Sequence, residues 1–242
     1  MNGDRDGSDL SRLPWPAVGE LADAGALLAV PVGSTEQHGP HLPLSTDTDL
    51  AVALCARLAA TRTDVLVAPA LPYGASGEHD GFAGTLSIGQ EVLEAVLVEL
   101  GRSALGRFAG MVLVSAHGGN AEPVARAGGR LVAESRRVLA WSPRWDGDAH
   151  AGWVETSLQL ALAPELVHLD RATAGDTRPL VELLPALRSG GVAAVSPSGV
   201  LGDPAGASAD RGLALLDQLA ADLARAVAGW RQGWPCGPGS PR

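Results

Sequence analysis

The chain has 242 residues, of which 46% are hydrophobic and 19% charged, and its formal net charge is −9. A chain of this length can bury a large core without disulfide bonds. It has no lysine and no basic cluster, so its acidic surface argues against nucleic acid as a partner. No apolar run of about 18 residues is present, which argues against a membrane partner.

The cysteines and the two ends of the chain indicate where the protein works. Cys55 and Cys236 form no pattern typical of a disulfide framework, so we expect a reducing compartment. The first nine residues lack the basic and apolar regions of a signal peptide. We therefore expect a cytoplasmic protein with one domain at residues 13–231, a flexible N-terminus at 1–12 and a flexible tail at 232–242.

Short apolar runs alternate with longer amphipathic segments along the chain. The short runs predict strands at residues 26–32, 65–70, 111–116 and 138–141. Helical spacing of apolar residues predicts helices at 47–61, 90–108, 121–136, 153–162 and 208–230. Continuous apolar strands that alternate with helices indicate an α/β fold, a single three-layer α/β/α domain with a mostly parallel sheet. Residues 189–203, rich in Gly, Ser and Pro, predict a loop-rich region near the edge of the domain.

Polar residues of the kind that bind ligands follow the first predicted strand, where parallel sheets place their sites. Glu36 and His38 are two residues apart, so an extended backbone points both side chains the same way. Asp47 begins the next predicted helix, and its two carboxylate oxygens could each bind a different ion. Alternatively, Asp47 is only the N-cap of that helix, a role that needs neither Glu36 nor His38.

A glycine-rich segment at residues 73–82 follows the second predicted strand. It contains Tyr73, the single tyrosine of the chain, together with Ser76, Glu78 and His79. We predict that this loop covers the site and that these four residues contact the substrate. The alternative is an ordinary glycine-rich surface turn.

His117 leaves the third predicted strand and precedes Gly118, Gly119 and Asn120. Two glycines allow the backbone to approach a ligand closely, so we predict that residues 118–120 contact the substrate. Alternatively, His117 is a hydrogen-bonded structural histidine and Asn120 caps the following helix.

His150 and Glu155 are five residues apart at the start of a predicted helix, where the helix N-terminus favours a carboxylate. We predict catalytic roles for both residues and a substrate contact for Trp153. An ordinary first-turn glutamate and a loop histidine are the alternative.

Five of the six histidines lie in these four segments, and only His168 is predicted to be a surface residue. Histidine with aspartate and glutamate suits Zn²⁺, Fe²⁺ or Mn²⁺. These ligands exceed what a structural metal site needs, which argues against a metal-stabilised binding protein without catalysis.

The ordered motifs EQHGPH (36–41), Asp47, HGGN (117–120) and HAGWVETS (150–157) resemble the creatininase family. Residues 73–79, 82–85, 190–196 and 199–204 are similar to its mycofactocin-system branch. The resemblance implies a creatininase-like fold and two divalent ions, with Glu36 and His117 at one ion, His38 at the other and Asp47 bridging. Where creatininase has a second-metal glutamate this chain has Gly119, so Glu155 becomes the candidate ligand and creatinine an improbable substrate.

The resemblance also implies an activity and an assembly. It implies a metal-dependent peptidase in biosynthesis of the redox cofactor mycofactocin, acting on a modified precursor peptide to release its Val-Tyr-derived C-terminal fragment. Zn²⁺ and Fe²⁺ are the expected metals, Mn²⁺ is also compatible, and a homo-oligomer is expected. The alternative within the family is hydrolysis of a small cyclic amide or formamide.

Overall fold

Residues 7–234 are described by a computed structural model, in which four strands alternate with seven helices. The strands are β1 (Leu27–Val32), β2 (Val65–Val67), β3 (Gly110–Ser115) and β4 (Val138–Trp141). The helices are α1 (Trp15–Asp23), α2 (Thr46–Thr61), α3 (Gln90–Ala104), α4 (Ala121–Ala133), α5 (Trp153–Leu162), α6 (Leu180–Gly190) and α7 (Ala209–Gln232).

The four strands form one parallel sheet in the order β2-β1-β3-β4. Every residue of β1 and β3 is buried, as expected for central strands that are covered on both faces. The register pairs Val32 with Ser115, so the carboxyl ends of β1 and β3 lie side by side. The segments that follow these two strands therefore begin next to each other.

Side chains alternate between the two faces of the sheet and enter two separate cores. On one face Leu27 and Ala29 pack in a cluster with residues of α2, α5 and α7. On the other face Leu28 and Val30 pack with residues of α3 and α4. Burial of a leucine side chain stabilises the fold by about 1.5–3 kcal/mol. The predicted three-layer α/β/α domain with a parallel sheet is confirmed.

The predicted strands and helices are confirmed with modest differences at their ends; β2 stops at Val67 and α3 at Ala104. Helices α1 and α6 were not predicted. Each buries a single residue along its length, Ala22 in α1 and Leu183 in α6, and α6 contains Pro185. Helix α1 begins after Pro14 with a second proline in its first turn, and proline is typical of a helix break.

Residues 189–203 approach the loop that contains His150. The amide of Leu201 donates to the carbonyl of His150 at 2.9 Å, and the amide of His150 donates back to Leu201 at 3.1 Å. The segment thus pairs with the loop that contains His150. Its abundance of glycine and proline predicted loops correctly but could not indicate which part of the fold those loops approach.

The two ends of the chain are only partly described. Residues 1–6 and 235–242, which include Cys236 and most of the predicted flexible ends, lie outside the described residues. Residues 7–12 run beside β2, where the amide of Val67 donates to the carbonyl of Ser8 at 2.7 Å. Within residues 7–234 no helix has both the length and the apolar character needed to span a bilayer. The homo-oligomer stays a prediction.

Candidate metal centre

Six polar side chains converge where β1 and β3 end and where α2 and α5 begin. All six are buried, and they are Glu36, His38, Asp47, His117, His150 and Glu155. A buried ionised group is stable only when it is paired or binds a metal. The cluster therefore needs a balance of charge that the surrounding apolar core does not provide.

Asp47 lies between two histidines of this cluster. Its Oδ1 is 3.4 Å from Nε2 of His38, and its Oδ2 is 3.4 Å from Nδ1 of His117. Two ligand atoms bound to one Zn²⁺ at tetrahedral angles are about 3.3–3.6 Å apart, since each lies about 2.0–2.2 Å from the ion. Each oxygen thus faces a different histidine at a separation that suits a shared ion.

The helix start supports Asp47 in this role. The N-cap of α2 is Ser45, not Asp47, and Asp47 lies in the first turn. The alternative interpretation of Asp47 as a simple N-cap is therefore wrong. A first-turn carboxylate is stabilised by the helix dipole and remains free to bind a cation.

The donor atoms form overlapping groups. Glu36, Asp47 and His117 make one group, with 3.1 Å between Oε1 of Glu36 and Nδ1 of His117. His38, Asp47 and Glu155 make another, with 3.8 Å between Nε2 of His38 and Oε2 of Glu155. We name these the first and second metal positions. A further group joins Glu36 and His38 to His150.

Several of these atoms have no hydrogen-bond partner although they are buried. They are both carboxylate oxygens of Glu36, Nε2 of His38 and Oδ2 of Asp47. Buried polar atoms are almost always satisfied in native proteins. Orphaned oxygens and nitrogens that face one another, in a histidine and carboxylate donor set, fit two divalent cations.

The protonation of the metal-free protein shows the same imbalance of charge. Burial alone would lower the pKa of His38, but the carboxylates of Asp47 and Glu155 outweigh it and raise this pKa to about 10. Burial likewise opposes the charged form of His117, yet Glu36 raises its pKa well above the usual value. Burial would raise the pKa of Glu36, but His117 holds it well below its usual range. In the absence of metal, protons on the histidines balance the carboxylates.

Gly119 stands where a metal-binding glutamate was expected from the family resemblance. A Cβ atom there would collide with Oε1 of Glu78, the carbonyl of Ala75 and Nε2 of His117. The position therefore has no room for a side chain. A carboxylate for the second metal position has to come from elsewhere in the chain.

Glu155 lies in the first turn of α5 and faces the second position. Its Oε2 accepts a hydrogen bond from the amide of Ala151 at 2.6 Å. Ala151 has a φ of +54°, a left-handed conformation that is strained for a residue with a side chain. Burial raises the pKa of Glu155 to about 7, an effect that the positive charge of His38 reduces. This carboxyl group can therefore take up or release a proton near neutral pH.

Gln37 contacts two buried histidines, His79 and His150. Its side-chain oxygen accepts from the amide of Gly39, and its Nε2 donates to Nδ1 of His79 at 2.8 Å and to the carbonyl of Gly199 at 3.1 Å. Nε2 of His150 lies 2.9 Å from the backbone carbonyl of Gln37, to which it can donate, and 3.1 Å from the side-chain nitrogen of Gln37, from which it can accept. The carbonyl is the shorter contact, and when Nε2 donates to it, Nδ1 is the basic nitrogen.

Three residues predicted to contact the substrate make their contacts within the protein, and their contact with substrate stays a prediction. Ser76 is buried and hydrogen-bonded to Ser34. Nδ1 of His79 accepts a hydrogen bond from Gln37, and its Nε2 lies 3.2 Å from Oε1 of Glu36. Asn120 accepts from the amide of Ala75 at 2.8 Å and donates to the carbonyl of Gly33 at 2.9 Å, and it makes no cap hydrogen bond to α4.

The other predicted substrate contacts are at least partly accessible. The Tyr73 side chain is 48% exposed, and Gly118 has open space around its Cα. Trp153 is half-buried, with the guanidinium of Arg211 3.9 Å above its ring. For Tyr73, Gly118 and Trp153, contact with substrate stays a prediction.

Sequence reasoning did not assign a role to Gln37 or His41. His41 is fully buried; its Nε2 lies 2.9 Å from the hydroxyl of Thr156, and burial, followed by the charge of His38, lowers its pKa to about 4. It therefore stays neutral. The sequence contained a signal for both residues, because Gln37 lies between Glu36 and His38, and His41 belongs to the same motif, residues 36–41.

The chain is similar to proteins of known name over most of its length. Residues 11–227 match the family model "Creatininase: Creatinine amidohydrolase". The mycofactocin precursor peptide peptidase of Mycobacterium ulcerans (strain Agy99) is 47% identical over 238 residues, covering 93% of this chain and 91% of that protein. The solved structures "E122Q mutant creatininase, Zn-Zn type" and "Creatininase Mn" each superpose with a TM-score of 0.80 at 26% identity, covering 92% of this chain and 97% and 98% of theirs.

Proposed function

The chain belongs to the creatininase family, and from that premise we propose that it is a metal-dependent peptidase acting on a modified precursor peptide. The observation that carries the metal dependence is Asp47, whose two oxygens face His38 and His117 at 3.4 Å each. The peptide substrate is supported by 47% identity to a mycofactocin precursor peptide peptidase. By this analogy the product is the Val-Tyr-derived C-terminal fragment.

The proposed centre contains two divalent ions. Glu36, Asp47 and His117 would hold one ion, and His38, Asp47 and Glu155 the other. We propose Zn²⁺, Fe²⁺ or Mn²⁺, all of which suit histidine and carboxylate ligands, and creatininase structures with zinc and with manganese support two of them. When bound, such ions polarise an amide carbonyl and lower the pKa of a water molecule.

The residues around the ions would move the protons of the reaction. Hydrolysis breaks the peptide C–N bond, adds a hydroxyl group to the carbonyl carbon and delivers a proton to the leaving amine. His150 has Nδ1 free as a base, and burial, together with the charge of His38, holds its pKa well below the usual value. We propose that His150 takes a proton from water and passes it to the amine. Glu155 is the second candidate for this transfer.

The surroundings of the centre are compatible with an extended substrate. A surface cavity of about 720 Å³ is lined by residues of the segment after β2, including Tyr73, Gly77 and Ser87. None of the six side chains of the centre lines this cavity, so we propose it as a surface for a distal part of the peptide, away from the bond that is cleaved. Gly118 adds an exposed stretch of backbone beside His117. Both features are compatible with a peptide.

The test is mass spectrometry of the matured precursor peptide after incubation with metal-loaded protein, chelator-treated protein and the Asp47→Asn variant. We expect release of the C-terminal fragment by the metal-loaded protein alone. The variant should lose at least about 1000-fold in rate, since stabilisation of the transition-state charge by metal is worth several kcal/mol. Cleavage that survives chelation would contradict metal dependence. An intact peptide, with two ions bound, would favour hydrolysis of a small cyclic amide or formamide, the candidate that the backbone likeness to creatininase supports.

A further inference from the structure

A short 3-10 turn, Gly77–His79, contacts two of the three side chains of the first metal position. Nε2 of His79 is 3.2 Å from Oε1 of Glu36. Oε1 of Glu78 is 3.4 Å from Nε2 of His117. Two consecutive residues of one turn therefore each contact a different proposed ligand. The turn belongs to the segment that was predicted to contact substrate.

His79 is fixed in one tautomer by its neighbours. The side-chain amide of Gln37 donates to Nδ1, so the proton of the neutral ring lies on Nε2, which is the nitrogen that faces Glu36. The residue is 3% exposed. Its Nδ1 accepts from Gln37 and its Nε2 faces the carboxylate of Glu36, and the second contact favours one orientation of that carboxylate.

Glu78 contacts His117 on the side of the ring that faces away from the metal position. Nδ1 of His117 faces Glu36 and Asp47, while Nε2 lies 3.3 Å from the carbonyl of Ala75 and 3.4 Å from Glu78. A hydrogen bond from the outer nitrogen of a metal-binding histidine to a carboxylate orients the ring and increases its basicity. Glu78 has the geometry for this role.

Gly119 leaves the space that Glu78 uses. Any Cβ at position 119 would collide with Oε1 of Glu78 and Nε2 of His117. The absence of a side chain at 119 thus does more than remove a carboxylate. It allows the carboxylate of Glu78 to reach the outer nitrogen of His117.

The turn itself is held in place by the residue after α6. Gly191 has a φ of +67°, and a Cβ there would lie 2.7 Å from the carbonyl oxygen of Glu78. A residue other than glycine would be strained in this conformation and would press on the turn. The backbone of Glu78 is therefore packed against a defined surface, as a residue that positions another side chain requires.

We propose that Glu78 and His79 are positioning residues for the first metal position, and that position 119 is glycine so that Glu78 can reach His117. This inference rests on the proposed metal centre but not on the peptide substrate. It replaces the substrate-binding role predicted for the same two residues. Their contribution is to metal affinity and to the orientation of Glu36 and His117.

The test compares metal affinity in full-length wild type, Glu78→Gln and Gly119→Ala by competition with a chromogenic zinc chelator. We expect one of the two ions to bind about 10–100-fold more weakly in each variant and the other ion to be unchanged. Combining the two substitutions should cost little more than either alone, because both remove the same contact. Asp80→Asn is the matched control, since it neutralises an exposed carboxylate two residues away.

Each other outcome contradicts a different statement. Failure of wild type to bind two zinc ions would overturn the proposed metal centre itself. If wild type binds two ions and Glu78→Gln binds both with unchanged affinity, the positioning role is wrong; a raised KM for peptide would then restore the predicted substrate contact. Equal melting temperatures of the chelated proteins exclude general unfolding as the cause of weaker binding. If Glu78→Gln does not fold, Gly119→Ala tests the same contact.

Discussion

At the scale of single residues, His150 differs from His38 and His117 because burial and the charge of His38 hold its pKa below the usual value, whereas the pKa values of the other two are raised. Nε2 lies 2.9 Å from the carbonyl of Gln37, and the ring is tilted by 41° to that of His38, with 4.2 Å between their centroids. A neutral ring with one free nitrogen can accept a proton and return it. His150 is thus placed to act on the substrate without necessarily binding an ion.

We expect His150→Ala to lower kcat by about 100- to 10,000-fold, the usual contribution of general acid–base catalysis, with both ions retained. The measurement combines steady-state kinetics with metal content from mass spectrometry of the purified protein. His168→Ala is the matched control, because His168 is exposed. Loss of an ion in His150→Ala would contradict the proton-transfer role and make His150 a ligand, an arrangement that its grouping with Glu36 and His38 allows.

The residues that face the proposed ions could be predicted from sequence because they follow buried strands in short motifs. Glu36, His38 and His117 needed only the rule that parallel sheets bind ligands at their carboxyl ends. The roles of His79 and Asn120 depend on contacts with residues 42 to 87 positions away. No local pattern encodes such contacts, so a buried positioning side chain and a substrate contact look alike in the sequence.

At the scale of secondary structure, one side chain ties together the loops that follow three strands. Asn120, after β3, accepts from the amide of Ala75, in the segment after β2, and donates to the carbonyl of Gly33, directly after β1. Gly74 has no side chain, and a Cβ there would approach both Gly33 and Asn120. The loops that contain Glu36, Glu78 and His117 are held in register by this amide.

We expect Asn120→Ala to destabilise the metal-free protein by about 2–4 kcal/mol, because it leaves a buried amide and a buried carbonyl without partners. Urea unfolding of the chelated protein measures this change. Tyr73→Ala is the comparison, since Tyr73 is 48% exposed; its removal should raise KM and leave stability nearly unchanged. An Asn120→Ala protein with wild-type stability and a raised KM would refute the clamp and support the predicted substrate contact.

The elements themselves were predictable where burial is extensive. Strands β1 and β3 are buried along their whole length, and the helices of the two cores bury several residues each. Helices α1 and α6 bury one residue each and carry prolines at their start or in their interior, which in a sequence are typical of helix breaks. The position of residues 189–203 beside His150 depends on backbone hydrogen bonds to Leu201, which composition does not encode.

At the scale of the whole molecule, metal binding, proton binding and folding are linked through one buried cluster. In the folded, metal-free protein the pKa of His38 is raised to about 10, and the pKa of His117 is raised well above its usual value. The pKa of Glu155 is raised to about 7. In each case the fold holds a proton that the unfolded chain would release at lower pH. A bound cation takes the place of these protons, so metal binding releases them.

The sign of the pH dependence follows from these shifts. A histidine whose pKa is raised by folding stabilises the fold fully below its ordinary value of 6.5, and this contribution disappears as pH rises toward 10 at His38. The raised carboxyl pKa of Glu155 acts in the same direction between its ordinary value of 4.5 and about 7. The metal-free protein should therefore become less stable as pH rises from about 7 to 10, while metal affinity increases.

Thermal unfolding of chelated and zinc-loaded protein between pH 6 and 9.5 tests this linkage, and we expect the two melting temperatures to diverge as pH rises. Each proton displaced by metal makes binding about tenfold tighter per pH unit, and tighter binding stabilises only the folded state. The Asp47→Asn variant should show a much smaller divergence, because it lacks the carboxylate that faces both histidines. If the difference between the two melting temperatures of wild type stays constant from pH 6 to 9.5, the buried histidines do not exchange protons for metal. The cluster would then not be the metal site, and its charge would be balanced by the protein alone.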